Sequence, residues 1–248
     1  MFTQVINLDR SADRLAAISR DLQLCLPEWQ RLPAIEPDAD YVTTLPIYHR
    51  AKARKYFGRD LRRGEVGCFQ SHRAALMALV QSGADHGLVL EDDVILTRPA
   101  VDAIIAAVAL LDARDPDWAC VNLVHAQVLR RRHFAAIGGH DLWRSYQFPL
   151  LTSALLWRRD KAVAFLEWTA TTGIYAPVDN QLRDWISLGN KGYAFDPPPV
   201  GLRAFDSTIQ VAEQASTVPA HSNKFTIHEI RQKLPLYWRS YRDHLLHR

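Results

Sequence analysis

The sequence has few of the residues that hold small secreted domains together. Its three cysteines, Cys25, Cys68 and Cys120, are odd in number, far apart and without a C-x-x-C pair, so they suggest neither a disulfide framework nor a zinc site. No apolar run approaches the roughly 20 residues that cross a bilayer. The N-terminus also lacks the basic start and long apolar core of a signal peptide. These absences predict a cytoplasmic protein that is not integral to the membrane.

The sequence also has little net charge. A formal charge of +3 is too small to argue for nucleic-acid binding by itself. The basic residues are unevenly distributed, however: residues 50–63 hold many of them against Asp60 alone, and the stretch from Lys224 to Arg248 is again mostly basic. Such stretches suit phosphates or an anionic membrane surface, and they equally suit a solvated basic face.

Hydrophobic periodicity alternates between strands and helices, which predicts an α/β domain with a mainly parallel sheet over residues 1–220. Segment 33–63, rich in proline and polar residues, predicts a loop-rich connection. Residues 221–248 predict a basic, aromatic-bearing helical tail, interrupted near Pro235. Its apolar stripe suits a membrane surface and packing against the domain equally well. The predicted strands are 3–8, 87–90, 118–124, 150–157 and 193–195. A first helix is predicted to begin after residue 11, and the other predicted helices span 65–81, 99–112, 161–169 and 179–188.

An acidic triplet, Glu91, Asp92 and Asp93, directly follows the predicted strand 87–90. Ligands of open α/β sheets bind beyond the carboxyl ends of strands, and a bound cation would offset the repulsion among three adjacent carboxylates. Oxygen ligands suit Mn²⁺ or Mg²⁺, which bridge phosphate oxygens and neutralise a departing nucleoside diphosphate. The triplet therefore predicts a cation site, although solvated acidic turns are also common.

Two other classes of protein fit parts of this pattern. A metal-dependent nucleotidyltransferase would use similar carboxylates, but it would also need a glycine-rich loop after the first strand, and residues 9–12 contain no glycine. A non-catalytic module that binds phosphate or nucleic acid would use the basic stretches. In that case the acidic triplet would repel phosphates unless a metal were present.

Three segments, in order and approximate spacing, resemble glycosyltransferase family 25. They are Val5-Ile6-Asn7-Leu8-Asp9-Arg10 with Arg14 close behind, Gly64-Glu65-Val66-Gly67-Cys68-Phe69-Gln70-Ser71-His72, and Val89-Leu90-Glu91-Asp92-Asp93. Similarity continues at Pro177-Val178-Asp179 and, less clearly, at Ser207-Thr208-Ile209. The resemblance implies a GT-A-like fold and an inverting transfer of a hexose, most simply galactose, from a UDP-sugar to a lipooligosaccharide or lipopolysaccharide-type glycan.

The resemblance also implies donor-binding roles for the first two segments. The Asn7 amide suits a uracil edge, and Arg10 suits the diphosphate or ribose, with Arg14 on the same helix face. Ser71 and His72 are expected to contact the nucleotide or to support the acidic loop. The alternative for Asn7 is to cap the turn, with both arginines solvated.

For the chemistry, Asp93 is the preferred metal ligand, and Glu91 or Asp92 would help through ribose contacts or water-mediated coordination. His221 and His228 are further candidates for a third ligand. An inverting transfer also needs a base for the acceptor hydroxyl. Asp179 is the candidate, with Glu91 or Asp92 as alternatives, whereas an Asp before a helix is also a common N-cap.

Overall fold

A computed structural model describes residues 1–125 and 130–204, together with the single positions 238, 242 and 245. The predicted domain boundary at residue 220, and all of the predicted tail except these three positions, therefore lie outside the described residues. Within the described part, no helix is long and apolar enough to cross a membrane.

The centre of the fold is an eight-stranded mixed sheet in the order β2-β1-β3-β8-β5-β9-β7-β6. Strands β7 and β8 run against the rest, and a small two-stranded sheet pairs β4 with β10. The strands are β1 (Phe2–Asn7), β2 (Gln30–Pro33), β3 (His86–Glu91), β4 (Val94–Ile95), β5 (Cys120–Asn122), β6 (Arg131–Ile137), β7 (His140–Ser145), β8 (Ala154–Arg158), β9 (Gly192–Asp196) and β10 (Gly201–Leu202).

Helices cover both faces of this sheet because the central strands are apolar on both sides. Val5 and Leu90 pack with α1 and α5 on one face, whereas Ile6 and Val89 pack with α4, α6 and α7 on the other. Burial of each such side chain contributes about 2 kcal/mol. The predicted α/β class is confirmed. The helices are α1 (Ala12–Cys25), α2 (Ala39–Thr44), α3 (Arg50–Phe57), α4 (Arg63–Ser82), α5 (Arg98–Arg114), α6 (Arg159–Thr172) and α7 (Val178–Gly189).

The loop-rich prediction for residues 33–63 is wrong, since α2 and α3 lie within it. Helix α2 begins where the Asp38 side chain accepts a hydrogen bond from the Tyr41 N–H at 2.6 Å, and α3 ends at Gly58, whose φ is 84°. Each helix buries a single apolar side chain, Val42 or Ala53. These helices therefore have too little apolar periodicity to be recognised from the sequence.

The hairpin of β6 and β7 was also missed. Its strands are rich in charged residues and lie at the edge of the sheet, with mostly half-buried or exposed side chains. Gly138 and Gly139 form the turn with φ of 57° and 84°. A Gly-Gly pair with positive φ at both positions is a known hairpin signal, and it was the available clue.

Candidate functional site

The site lies at the carboxyl edge of β1 and β3, which are parallel neighbours with Ile6 opposite Glu91. Strand β8 enters the sheet at the same edge, and the Glu91 N–H donates to the Ser153 carbonyl at 2.7 Å. The ends of three strands therefore bring Asn7, the acidic triplet and the 152–153 segment together.

Glu91 faces helix α4 and the start of β8. Its Oε1 lies 3.1 Å from His72 Nε2 and accepts a hydrogen bond from the Thr152 hydroxyl at 3.0 Å. Burial would raise the pKa of Glu91, but the hydrogen bond and charge of His72, together with Thr152 and Ser153, hold it below its usual value. Glu91 is therefore an ionised carboxylate with protein partners.

Asp92 points into the protein, towards β1 and α1. Its Oδ2 accepts a hydrogen bond from Asn7 Nδ2 at 2.7 Å, and its Oδ1 lies 3.2 Å from the guanidinium of Arg14. The Asn7 amide also donates to the Ser11 carbonyl at 3.0 Å and accepts from Arg31 Nε at 3.0 Å. Burial raises the pKa of Asp92, because Asn7 and Arg14 offset the lost hydration only in part. The Asn7 amide and the Asp92 carboxylate thus bond to other groups of the protein. Direct contact of either one with a sugar-nucleotide donor stays a prediction.

Asp93 differs from its two neighbours in having an oxygen without a partner. Its Oδ1 is buried and accepts no hydrogen bond from the described residues. Burial, and then the charge of Glu91, raise the pKa of Asp93 to about 6. The Arg203 N–H donates to the Asp93 carbonyl at 2.7 Å and so fixes the turn. A buried carboxylate oxygen without a partner is costly, and a hard divalent cation fits it as a ligand.

The glycine-bearing segment holds a loop against helix α4. A Cβ on Gly67 would lie 2.4 Å from the Ile35 carbonyl oxygen, so only glycine allows this close approach. One turn later, Ser71 Oγ accepts from the Ile35 N–H at 2.8 Å and donates to the Gly67 carbonyl at 2.8 Å. Ser71 is 1% exposed, and its hydroxyl is used to anchor the 34–37 segment.

Arg10 is the exposed arginine of the first motif, and it pairs with Glu36 of the same 34–37 segment. By contrast, Arg14 is buried beside Asp92. The two arginines were expected to share one role on one helix face. Instead, Arg10 precedes α1 and Arg14 lies within it, so Arg10 is the more accessible to a substrate.

Asp179 is the second residue of α7, whose N-cap is Pro177. Its Oδ1 accepts hydrogen bonds from the backbone and side-chain nitrogens of Asn180, at 2.7 and 2.9 Å. It therefore does not occupy the N-cap position. After burial and Glu91, the charge of Asp179 contributes to the raised pKa of Cys68.

Two features of the site were not recognised from the sequence. Cys68 was not considered as a site residue, although it lies four residues before His72 and therefore on the same helix face. Asn122, at the end of β5, donates to the carbonyls of Leu150 and Leu151 and accepts from the N–H groups of Val124 and His125. It thereby holds the loop that leads to Thr152. The candidates His221 and His228, and the 207–209 segment, lie outside the described residues.

The first 127 residues carry the β1 motif, the glycine-bearing segment and the acidic turn, and they match the model of Glycosyltransferase family 25 (LPS biosynthesis protein) over residues 1–127. The chain belongs to glycosyltransferase family 25. This family 25 protein is accordingly a glycosyltransferase of lipopolysaccharide biosynthesis, and the nucleotidyltransferase and nucleic-acid-binding alternatives are set aside. Asp179 lies outside the matched residues, so its role rests on local geometry.

Among solved structures, the family 25 chain is similar to the galactosyltransferase LgtC, crystallised in complex with donor and acceptor sugar analogues. The TM-score is 0.41 at 12% sequence identity, over 94% of this chain and 100% of that one. So distant a likeness bears on neither substrate nor mechanism. No curated protein matches the chain in sequence.

Proposed function

We propose that the enzyme transfers a hexose, most simply galactose, from a UDP-sugar to a hydroxyl of a lipooligosaccharide or lipopolysaccharide-type glycan, with inversion at the anomeric carbon. Family membership supports glycosyl transfer and the class of glycan. The single observation that carries the donor proposal is the buried, unpartnered oxygen of Asp93 at the carboxyl edge of the sheet, where nucleotide ligands of α/β folds bind.

In this proposal Asp93 is the direct ligand of Mn²⁺ or Mg²⁺, and the negative charge of Glu91 beside it favours the same cation. The cation, when bound, would neutralise the charge that develops on the leaving diphosphate. Asp92 acts indirectly, because its hydrogen bond from Asn7 and its ion pair with Arg14 fix the turn on which Asp93 stands.

The donor's nucleotide would lie over β1 and the 34–37 segment. Arg10 is the candidate for the diphosphate or ribose, since it is exposed and can exchange Glu36 for a phosphate oxygen. Asn7 and Arg14 would act indirectly, by holding Asp92 in place beside this surface. Ser71 anchors the 34–37 segment, and His72 orients Glu91.

Asp179 is proposed as the base that takes the proton from the acceptor hydroxyl. The charge of Asp179 acts on Cys68, whose sulfur lies within 4.8 Å of a Glu91 carboxylate oxygen, and this supports the proposal. The Asp179 Oδ1 is held by Asn180. Among the described residues, no hydrogen-bond partner is found for the other oxygen, Oδ2, which suits it to accept a proton. Asp179 lies on α7 and Asp93 on the turn after β3, so the base and the metal ligand would come from separate elements.

The donor proposal is tested by incubating the full chain with Mn²⁺ and a panel of UDP-sugars, and by following UDP release with and without saccharide acceptors. We expect release with UDP-galactose and a loss of at least about 100-fold for Asp93→Ala. Asp85→Ala is a suitable control, because its side chain is 80% exposed. The proposal fails if no UDP-sugar is turned over, or if Asp93→Ala retains full activity.

The base is tested with Asp179→Asn, which should abolish transfer while UDP affinity changes little. Asp160 provides a matched control, since it is likewise the second residue of its helix, α6. Asp160→Asn should keep full activity. If Asp179→Asn loses stability but keeps its turnover per folded molecule, the residue serves the helix and not the reaction.

We propose further that the tail, residues 221–248, contacts the anionic surface of the membrane, as its basic and aromatic composition supports. The full chain should co-sediment with vesicles of anionic phospholipid and much less with neutral ones. A chain ending at residue 220 should lose this binding. Equal sedimentation of the two chains would contradict the proposal.

A further inference from the structure

Cys68 and His72 stand one turn apart on α4, and both face Glu91 at the end of β3. The Cys68 sulfur, an imidazole nitrogen of His72 and a carboxylate oxygen of Glu91 all lie within 4.8 Å of one another. Within residues 1–125 and 130–204, these side chains form the one such group of three potential metal ligands. His72 is 4% exposed, whereas Cys68 and Glu91 are half-buried, so the group lies at the edge of the fold.

The distance between the nitrogen and oxygen ligands is close to that in a coordination sphere. In a tetrahedral zinc site, nitrogen and oxygen ligands about 2.0–2.1 Å from the metal lie roughly 3.3 Å from each other. His72 Nε2 and Glu91 Oε1 are 3.1 Å apart. A metal ion can therefore replace the shared proton of this hydrogen bond with little movement of either side chain.

The charge of Glu91 also favours a cation at this position, because its carboxylate oxygen lies within 4.8 Å of the Cys68 sulfur and the His72 nitrogen. A cysteine thiolate and one carboxylate would together balance the two positive charges of the ion.

We propose that Cys68, His72 and Glu91 form a binding site for a borderline-soft divalent cation of the Zn²⁺ class. Binding releases the thiol proton to solvent. The proton that His72 and Glu91 share leaves Nε2 for Nδ1 of the imidazole or for solvent, so that His72 binds as the neutral ring. The sulfur, nitrogen and oxygen donors leave the fourth tetrahedral position for water. Sulfur and imidazole ligands distinguish this site from the all-oxygen site at Asp93, which suits Mn²⁺ or Mg²⁺. The proposal does not depend on the sugar donor.

Cobalt serves as the probe, because a thiolate bound to Co²⁺ produces an intense charge-transfer band in the near ultraviolet that oxygen and nitrogen ligands do not. Stoichiometric Co²⁺ added to the reduced full chain should give this band, and Zn²⁺ should abolish it by displacement. Excess Mg²⁺ should not affect it. The absence of the band from the wild-type protein would overturn the proposal.

Variants then assign the band to a sulfur. Cys68→Ser should remove it, whereas Cys25→Ser should keep it, because Cys25 lies at the end of α1 in the other core cluster. His72→Gln should weaken Co²⁺ binding at least tenfold, and Asp85→Asn, at a side chain that is 80% exposed, should leave it unchanged. Persistence of the band in folded Cys68→Ser, checked by circular dichroism, would show that another cysteine is the ligand and would also overturn the proposal.

Discussion

The side-chain amide of Asn7 donates a 2.7 Å hydrogen bond to the carboxylate of Asp92, across 85 residues of sequence. Both side chains are buried, at 2% and 6% exposure. Through this contact the end of β1 fixes the acidic turn after β3. The two motifs therefore depend on each other for their geometry.

The energetic coupling of Asn7 and Asp92 is the first prediction. Asp92→Ala should lower the free energy of unfolding by about 3 kcal/mol, because it deprives Asn7 and the buried Arg14 guanidinium of a partner. A double-mutant cycle with Asn7→Ala, measured by urea denaturation, should give a coupling of about 1–2 kcal/mol. The exposed Asp85→Ala should change stability by less than about 1 kcal/mol. Additive effects at Asn7 and Asp92 would contradict the coupling.

The raised pKa of Asp93 predicts a pH dependence for the metal-free protein. The folded protein holds the Asp93 proton up to a pH of about 6, whereas the unfolded chain releases it near pH 3.9. Stability from this group is therefore fully present below about pH 4 and is lost as the pH rises through 6.

Asp93→Asn imitates the protonated form. It should raise the free energy of unfolding at pH 7 by about 1–3 kcal/mol and make little difference at pH 4. Urea denaturation in the presence of a chelator measures both values. Equal stabilities of variant and wild type at pH 7 would show that the ionised Asp93 carboxylate does not destabilise the folded protein.

Gly67 is predicted to tolerate no side chain. Gly67→Ala should cost about 2 kcal/mol, since the new Cβ would meet the Ile35 carbonyl at 2.4 Å. Hydrogen exchange at the Ile35 N–H should also accelerate, because the 34–37 segment must move off Ser71. Gly189→Ala is the control: its nearest contact is the flexible Lys191 side chain at 3.2 Å, so stability should change by less than about 0.5 kcal/mol.

Asn122 is predicted to hold the loop behind Glu91. Asn122→Ala removes hydrogen bonds to two carbonyls and two N–H groups, and it should lower the free energy of unfolding by about 2–4 kcal/mol. Amide exchange should increase at residues 124–125 and 151–153. An unchanged exchange pattern would mean that backbone pairing alone fixes this loop.

The strands and helices of the core were predictable because their apolar periodicity is strong. β1, β3, α4 and α5 fall close to their expected ranges, since each buries a regular set of side chains. The short helices α2 and α3 were not predictable. They depend on end contacts such as the Asp38 cap and Gly58, which a periodicity argument does not detect.

By itself, the sequence determined the α/β class, the acidic turn after a strand and the family motifs, because these are local patterns along the chain. Only the tertiary structure decided that the three carboxylates differ: Glu91 faces His72, Asp92 pairs with Asn7 and Arg14, and Asp93 keeps an unpartnered oxygen. Adjacent residues in a turn point in different directions. Their partners come from distant parts of the chain, so burial and contact, not sequence position, set the chemistry of each.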